Sequence, residues 1–279
     1  MGRIAEALKK AQRERISTAS KTPLLGRSDK SALSFRLGKA GPIQSKIHQS
    51  RAHEEAVKNP ETWVADPEIV TLTHPQSRVA EQYRAARTWL LARVKPGERQ
   101  CVTFAGSLPG EGTSVSTANL AVVMSEVTHM RVLALDANLR NPSLARLLRL
   151  PSSPGLTDVL SGREKLQNAV IATPRENLFL LPAGSSPPPN PAELLNSTIA
   201  ADVFDQLRDS FDYILVDTPA IQDCSDVGVI GALCSGIVMI VRMHKTPAPI
   251  VQQSIQWLQA NRLNVIGCLG AGLSPDDRD

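Results

Sequence analysis

The chain has 279 residues, 42% hydrophobic and 21% charged, with a formal net charge of +4. That is enough apolar material for a sizeable core in one large or two ordinary domains, and it excludes a wholly disordered or fibrous chain. The four cysteines, Cys101, Cys224, Cys234 and Cys268, are scattered, which argues against a disulfide framework or a paired-cysteine metal site and for a reducing cytoplasm.

In chain order, MGRIAEALKKAQRER mixes charges into every turn and lacks the apolar run of a signal peptide. Ile4, Leu8, Ala11 and Ile16 fall on one helical face, with Lys9, Lys10, Arg13 and Arg15 around the rest, so an amphipathic docking helix is expected over 1–16. Residues 17–59 are rich in Ser, Lys, Gly and Pro and poor in aromatics; burial there cannot repay the entropy of ordering, and a disordered basic linker is expected. Such a tail could meet an acidic membrane surface or partner, or simply be solvated.

A globular domain is expected over 60–273, with a short tail over 274–279. Val79, Tyr83, Ala86, Leu90 and Val94 recur at helical spacing, predicting a helix over 77–94. Beyond it, β-branched runs at 101–105, 131–135, 178–181, 213–216, 237–241 and 264–269 alternate with helical stretches at 114–127, 142–148, 192–195, 200–210, 226–233 and 249–261. This is the pattern of a doubly wound α/β domain, a mostly parallel sheet with helices on both faces. The proline-rich segment Ser185 to Pro191 is expected to be loop. Val227 to Val241, the longest apolar run, is broken by Gly231 and Gly236 and falls short of the roughly 17–25 residues of a membrane span.

CVTFAGSLPGEGTS runs from an apolar strand through a Gly/Pro bend into a helix, a context in which backbone amides and a helix N-terminus hold phosphate. Gly110, Glu111, Gly112, Thr113 and Ser114 are the candidate binding residues. A strict Gly-x-x-x-x-Gly-Lys-Ser loop would place its first glycine at Ser107 and its lysine at Thr113; only Gly112 and Ser114 fit. Taken alone, the stretch also suits an ordinary strand-to-helix turn. RVLALDANLRNP and FDYILVDTPA end apolar strands on Asp136 and Asp217. In a parallel sheet both carboxylates would face the loop, where with the Ser114 hydroxyl they could hold Mg²⁺. Either aspartate by itself could equally be a turn or cap residue; three matched strand ends argue for a site.

On these motifs the chain from about Glu81 to Leu273 resembles the cytoplasmic tyrosine autokinases of bacterial exopolysaccharide synthesis, relatives of the MinD/ParA P-loop ATPases. The family's Pro-Gly-Glu-Gly-Lys-Ser then Asn-Leu-Ala is matched by Pro109 to Ser114 and Asn119 to Ala121, its Asp-x-Asp-x-Arg by Asp136, Asn138 and Arg140, and its Asp-Thr-Pro-Pro by Asp217 to Ala220. NPAELL and GLTDVLSG match family segments as well. The resemblance implies ATP with Mg²⁺ as cofactor, Asp136, Asp217 and Arg140 as catalytic residues, and Ser114, Asp136 and Asp217 around the metal. EQYRAAR resembles the family's Glu-x-x-Arg-x-x-Arg oligomerisation motif, carried by Glu81, Arg84 and Arg87; a solvated intrahelical pair is the plainer reading. A homo-oligomer, a membrane chain-length-determinant (polysaccharide co-polymerase) partner and a place on the cytoplasmic side of the inner membrane are implied too. Nucleic acid is not expected, because the basic tail has almost no aromatics for stacking.

Three positions depart from the family. Thr113 replaces the lysine, Asn138 replaces a carboxylate, and the C-terminal tyrosine cluster has no counterpart, since only Tyr83 and Tyr213 are present. The expectation is a degenerate autokinase homologue with weakened or lost ATP binding, acting as a regulatory or structural partner. Two alternatives stay open: an active kinase or ATPase that draws its cation from Arg140 or a neighbouring subunit, and a MinD/ParA-like positioning ATPase.

Overall fold

The computed structural model describes residues 63–94, 99–185 and 188–272. The expected docking helix, linker and C-terminal tail lie outside these residues. The described chain starts with a short helix α1 (Val70–Thr73) and a longer one, α2 (Arg78–Leu91), capped by the Ser77 hydroxyl. Strand β1 (Gln100–Gly106) feeds helix α3 (Thr113–Met124), and β2 (Val132–Asp136) is followed by the short helices α4 (Leu144–Leu147), α5 (Leu156–Leu160) and α6 (Leu166–Ala169). The edge pair β3 (Ile171–Ala172) and β4 (Leu178–Leu181) precedes α7 (Pro191–Leu195), α8 (Thr198–Ser210) and β5 (Tyr213–Asp217). Helix α9 (Asp226–Leu233), β6 (Gly236–Arg242), α10 (Ala248–Ala260) and β7 (Val265–Ala271) complete it.

The seven strands lie in the order β3-β4-β2-β5-β1-β6-β7, parallel throughout except for β3 against β4. Every residue of β1, β2 and β5 is buried, as continuous apolar strands covered on both faces should be. Side chains alternate between two cores: Tyr213 and Leu215 of β5 pack with α2 and α3, while Ile214 and Val216 pack with Phe204 and Leu207 of α8. The chain leaves β1 towards β2 on one side and later reaches β6 on the other. A crevice therefore opens outside the carboxyl end of β1, the switch point where ligands of such sheets bind.

Strands and long helices match expectation to within a few residues at each end. The elements that periodicity did not predict, α1, α5, α6 and β3, span two to five residues, too short to establish a hydrophobic repeat. Pro191, expected in loop, is instead the first residue of α7, where its missing N–H costs nothing. Predicted helix ends at Val94 and Val127 fray into turns after Leu91 and Met124.

Helix α3 is buried on all sides from Ser116 to Met124, so its one amide needs partners. Asn119 Oδ1 accepts from the Thr71 N–H and hydroxyl at 3.0 Å each, and Nδ2 donates to the carbonyls of Glu68 and Val115 at 2.9 Å each. This side chain fastens the segment carrying α1 to the helix that starts at the phosphate loop. Asn119→Ala should strand the buried Thr71 donors and cost about 2–4 kcal/mol, read as a lower urea midpoint at unchanged slope.

Candidate functional site

Between β1 and α3 the backbone turns through Gly110 at φ +78° and Gly112, the N-cap of α3, at φ +87°. Both conformations favour glycine. A Cβ on Gly110 would meet nothing within 4 Å, so the loop backbone is open to a ligand. Glu111, expected as a ligand contact, commits its side chain to the fold and leaves only its backbone amide to the loop surface. Its carboxylate is buried and folds back under the loop, accepting the Ser107 N–H at 2.6 Å and the Thr246 hydroxyl. Gly106 makes room for this, because a Cβ there would lie 2.7 Å from Glu111 Oε2 and 2.9 Å from Thr113 Oγ1. Glu111 thus braces the loop from inside, and Thr113 opens α3 at the place of the lysine.

Asp136 and Asp217 are direct partners in the β2–β5 register, both fully buried. Asp136 Oδ1 accepts from Asn138 N at 3.2 Å, and Oδ2 from Ser143 N and Leu144 N at 2.9 Å each. Burial nevertheless pushes its carboxyl up to about 6. Burial, then the neighbouring Asp136 charge, drives Asp217 well above the carboxylate range, against the Ser114 hydrogen bond. Ser114 Oγ donates to Asp217 Oδ2 at 2.6 Å, while the buried Oδ1 has no hydrogen-bond partner. An orphaned acceptor beside a hydroxyl and two carboxylates fits Mg²⁺ or its water shell. Among the described residues no group of three or more His, Cys, Asp or Glu could hold a metal, so phosphate oxygens would have to complete the shell. Ser114 and Asp217 would hold the ion, and Asp136, with two bonds on Oδ2 from the turn before α4 and one on Oδ1, keeps an acceptor site on Oδ1 for it.

A cleft of about 330 Å³ faces the loop, lined by Gly110, Gly112, Thr113 and Ser114 on one wall and by Asn138 and Arg140 on the other. Arg140 is held from below: Nε and Nη2 donate to the two oxygens of Asp226 at 2.8 and 3.1 Å, and the Asp226 side chain is 0% exposed. Its charge is largely compensated, and its guanidinium is fixed at the rim. Asn138 Oδ1 accepts from Asn141 N at 3.1 Å, so the amide shapes the turn where the family has a carboxylate. A larger cavity, about 520 Å³, lies near Trp63, Glu126, His129 and Arg175, before the first residues of β2 and β4 and hence at the sheet end opposite the loop.

Arg84 and Arg87, expected to reach a neighbouring subunit, have partners inside the chain. Arg84 Nε and Nη2 donate to the two oxygens of Glu126 at 3.0 and 3.1 Å; Arg87 Nη1 donates to Glu126 Oε2 at 3.0 Å and to the Val123 carbonyl at 2.6 Å. Burial raises the Glu126 carboxyl, but Arg84, Arg175 and Arg87 outweigh it and hold the group below its ordinary value. Glu81 bonds Arg84 at 3.1 Å and stays 72% exposed. Asp226, Thr246 and Glu126 were not legible as site or support residues, since each meets its partner across the fold without a local motif.

Asp217 takes its proton at higher pH folded than unfolded, so between those two values the folded state binds more protons and stability falls as pH rises. The cost of the carboxylate is fully present above the folded value. Asp217→Asn keeps an acceptor for Ser114 and should raise the melting temperature at about pH 8, with the gain shrinking as pH falls towards about 4. A melting curve unchanged at every pH would show that the buried charge is not a burden.

No family model matches the chain. Tyrosine-protein kinase YwqD of Bacillus subtilis (strain 168) is 31% identical over 204 residues, covering 73% of this chain and 85% of that protein. Several other curated relatives are much longer, and the chain spans only 28%, 24% and 27% of three of them. Among solved structures, the kinase domain of Escherichia coli tyrosine kinase ETK superposes with a TM-score of 0.71 at 25% identity, covering 76% of this chain and 82% of that one. Septum site-determining protein MinD of Pyrococcus horikoshii, complexed with Mg-ADP, shares the fold at a TM-score of 0.54 and 23% identity, over 64% of this chain and 74% of its own. With its parallel sheet, its loop at the switch point and this degree of identity to YwqD, the chain belongs to the bacterial tyrosine-protein kinase family.

Proposed function

We propose that this protein binds ATP with Mg²⁺ weakly, turns it over slowly or not at all, and serves exopolysaccharide synthesis or export as a regulatory or structural partner. The observation that carries this reading is Thr113, the first residue of α3, standing where the loop needs a lysine. An ammonium there would contact the β and γ phosphates and balance charge as the γ-phosphoryl leaves; a hydroxyl offers one neutral bond. Losing one charge-assisted bond costs about 1.5–3 kcal/mol, roughly ten- to a hundredfold in affinity, and the transition state loses more. Mg²⁺, when bound, would neutralise phosphate charge. Ser114 and Asp217 would orient it, and the amides after Gly110 would hold the phosphates.

Two further features support the reading. Asn138 cannot act as a base or neutralise a metal. Neither tyrosine is placed as a free phosphate acceptor: Tyr213 sits in β5 and Tyr83 packs against the core, and burial raises both phenols. Among the described residues no helix is long and apolar enough to cross a membrane. Attachment on the cytoplasmic side through a membrane chain-length-determinant protein, and a homo-oligomer involving Glu81, are parts of the same proposal. An active kinase or ATPase is the second reading, favoured by one observation, the Arg140 guanidinium at the rim of the cleft. Its bond to Asp226 weighs against a free catalytic charge.

Thr113→Lys should raise Mg-ATP affinity about ten- to a hundredfold, and Thr113→Lys with Asn138→Asp should give the fastest turnover. Titration calorimetry and phosphate release measure the two. A parent chain that hydrolyses ATP as fast as the double variant would establish the active reading instead.

A further inference from the structure

We propose that Arg242 is a phosphate-binding residue of this site, supplying from the end of β6 the positive charge that Thr113 does not. The inference rests on the nucleotide reading above. Gly106 of β1 is level with Ile240 of β6, so Arg242, two residues further on, stands beside the phosphate loop as it leaves the sheet. Its Nη1 donates to the Gly110 carbonyl at 3.3 Å. Its stem lies along Gly272, at φ +72°, where a Cβ would come within 3.4 Å of Nε and 3.5 Å of Cγ; any side chain there would crowd the guanidinium. Four residues later Thr246 grips the loop through Glu111, so the turn after β6 and the loop behave as one unit.

Charge bookkeeping singles out this arginine. Arg140 and Arg146 line the cleft, but Arg140 is committed to the buried Asp226 and Arg146 pairs with Asp66 at 3.3 Å. Arg242 enters no ion pair among the described residues, and its contact with the loop is a long bond to a neutral carbonyl. A guanidinium has five donors in a planar fork, and a phosphate oxygen is a better acceptor than a carbonyl. The geometry differs from that of a loop lysine: Arg242 stands outside the residues that line the cleft, and its charge approaches from the β6 side, in reach of the Gly110 carbonyl, rather than from within the helix N-terminus.

The test uses the full chain and titration calorimetry with Mg-ATP, Mg-ADP and AMP on the parent, Arg242→Ala, Arg242→Lys, Thr113→Lys and the Thr113→Lys/Arg242→Ala double variant. Arg242→Ala should weaken ATP and ADP about tenfold and AMP hardly at all, Arg242→Lys should recover part of the loss, and the loss should shrink to under about threefold when Thr113→Lys supplies the charge. Equal binding by parent and Arg242→Ala would overturn this inference alone. An equal loss for all three nucleotides in both backgrounds would also overturn it, leaving Arg242 as a brace on the Gly110 carbonyl. A parent that binds neither ATP nor ADP would overturn this inference together with the nucleotide reading beneath it.

Discussion

Two carboxylates buried side by side at the ends of adjacent strands are an electrostatic liability, and much of the molecule is arranged around it. The β2–β5 register makes Asp136 and Asp217 neighbours, and burial raises both. The fold relieves them unequally. Three backbone amides from the turn after β2 surround Asp136, while Asp217 receives one hydroxyl, from Ser114, and keeps one oxygen unpaired. A chain selected for stability alone would replace such a pair with apolar side chains. Such a pair beside an open loop of glycines has the chemistry that suits a cation and a polyanion.

The loop is held against this charge by two kinds of support. From inside, Glu111 ties the Ser107 amide to the turn after β6. From behind, α3 is buried on every face and anchored by Asn119 to the segment before it. The loop is thereby braced from two sides, and against the strict pattern it lacks two residues, the first glycine, at Ser107, and the lysine, at Thr113.

The architecture was legible because its determinants are local and repeated. Apolar runs such as those ending on Asp136 and Asp217 mark buried strands, and the glycines at 110 and 112 mark the loop, without any long-range information. The roles of individual polar residues were less legible, since they depend on which distant groups the fold brings near. Glu111 read as a ligand contact from its place in the loop, and the bracing by its side chain was hidden because Thr246 lies 135 positions away in sequence. Arg84 and Arg87 read as an assembly surface from their resemblance to a family motif, while their partner within the chain, Glu126, is set by the packing of α2 on α3. Short elements such as α5 and α6 were missed because four or five residues carry no period.

The Arg84–Glu126–Arg87 cluster has a consequence for any association through α2. A neighbouring molecule that recruits these arginines must first take them from Glu126, so the contact is an exchange of partners and yields only the difference between two ion-pair energies. Such exchanges are shallow and reversible. Glu126 follows the last turn of α3, whose first turn is the loop, about 18 Å away along a 12-residue helix. Freed of Arg84 and Arg87, Glu126 would keep only the longer contact with Arg175, at 3.6 Å, at the far end of the helix from the loop. Association through α2 would therefore be felt first in the packing of α2 on α3, with the arginine pair as its detachable clasp.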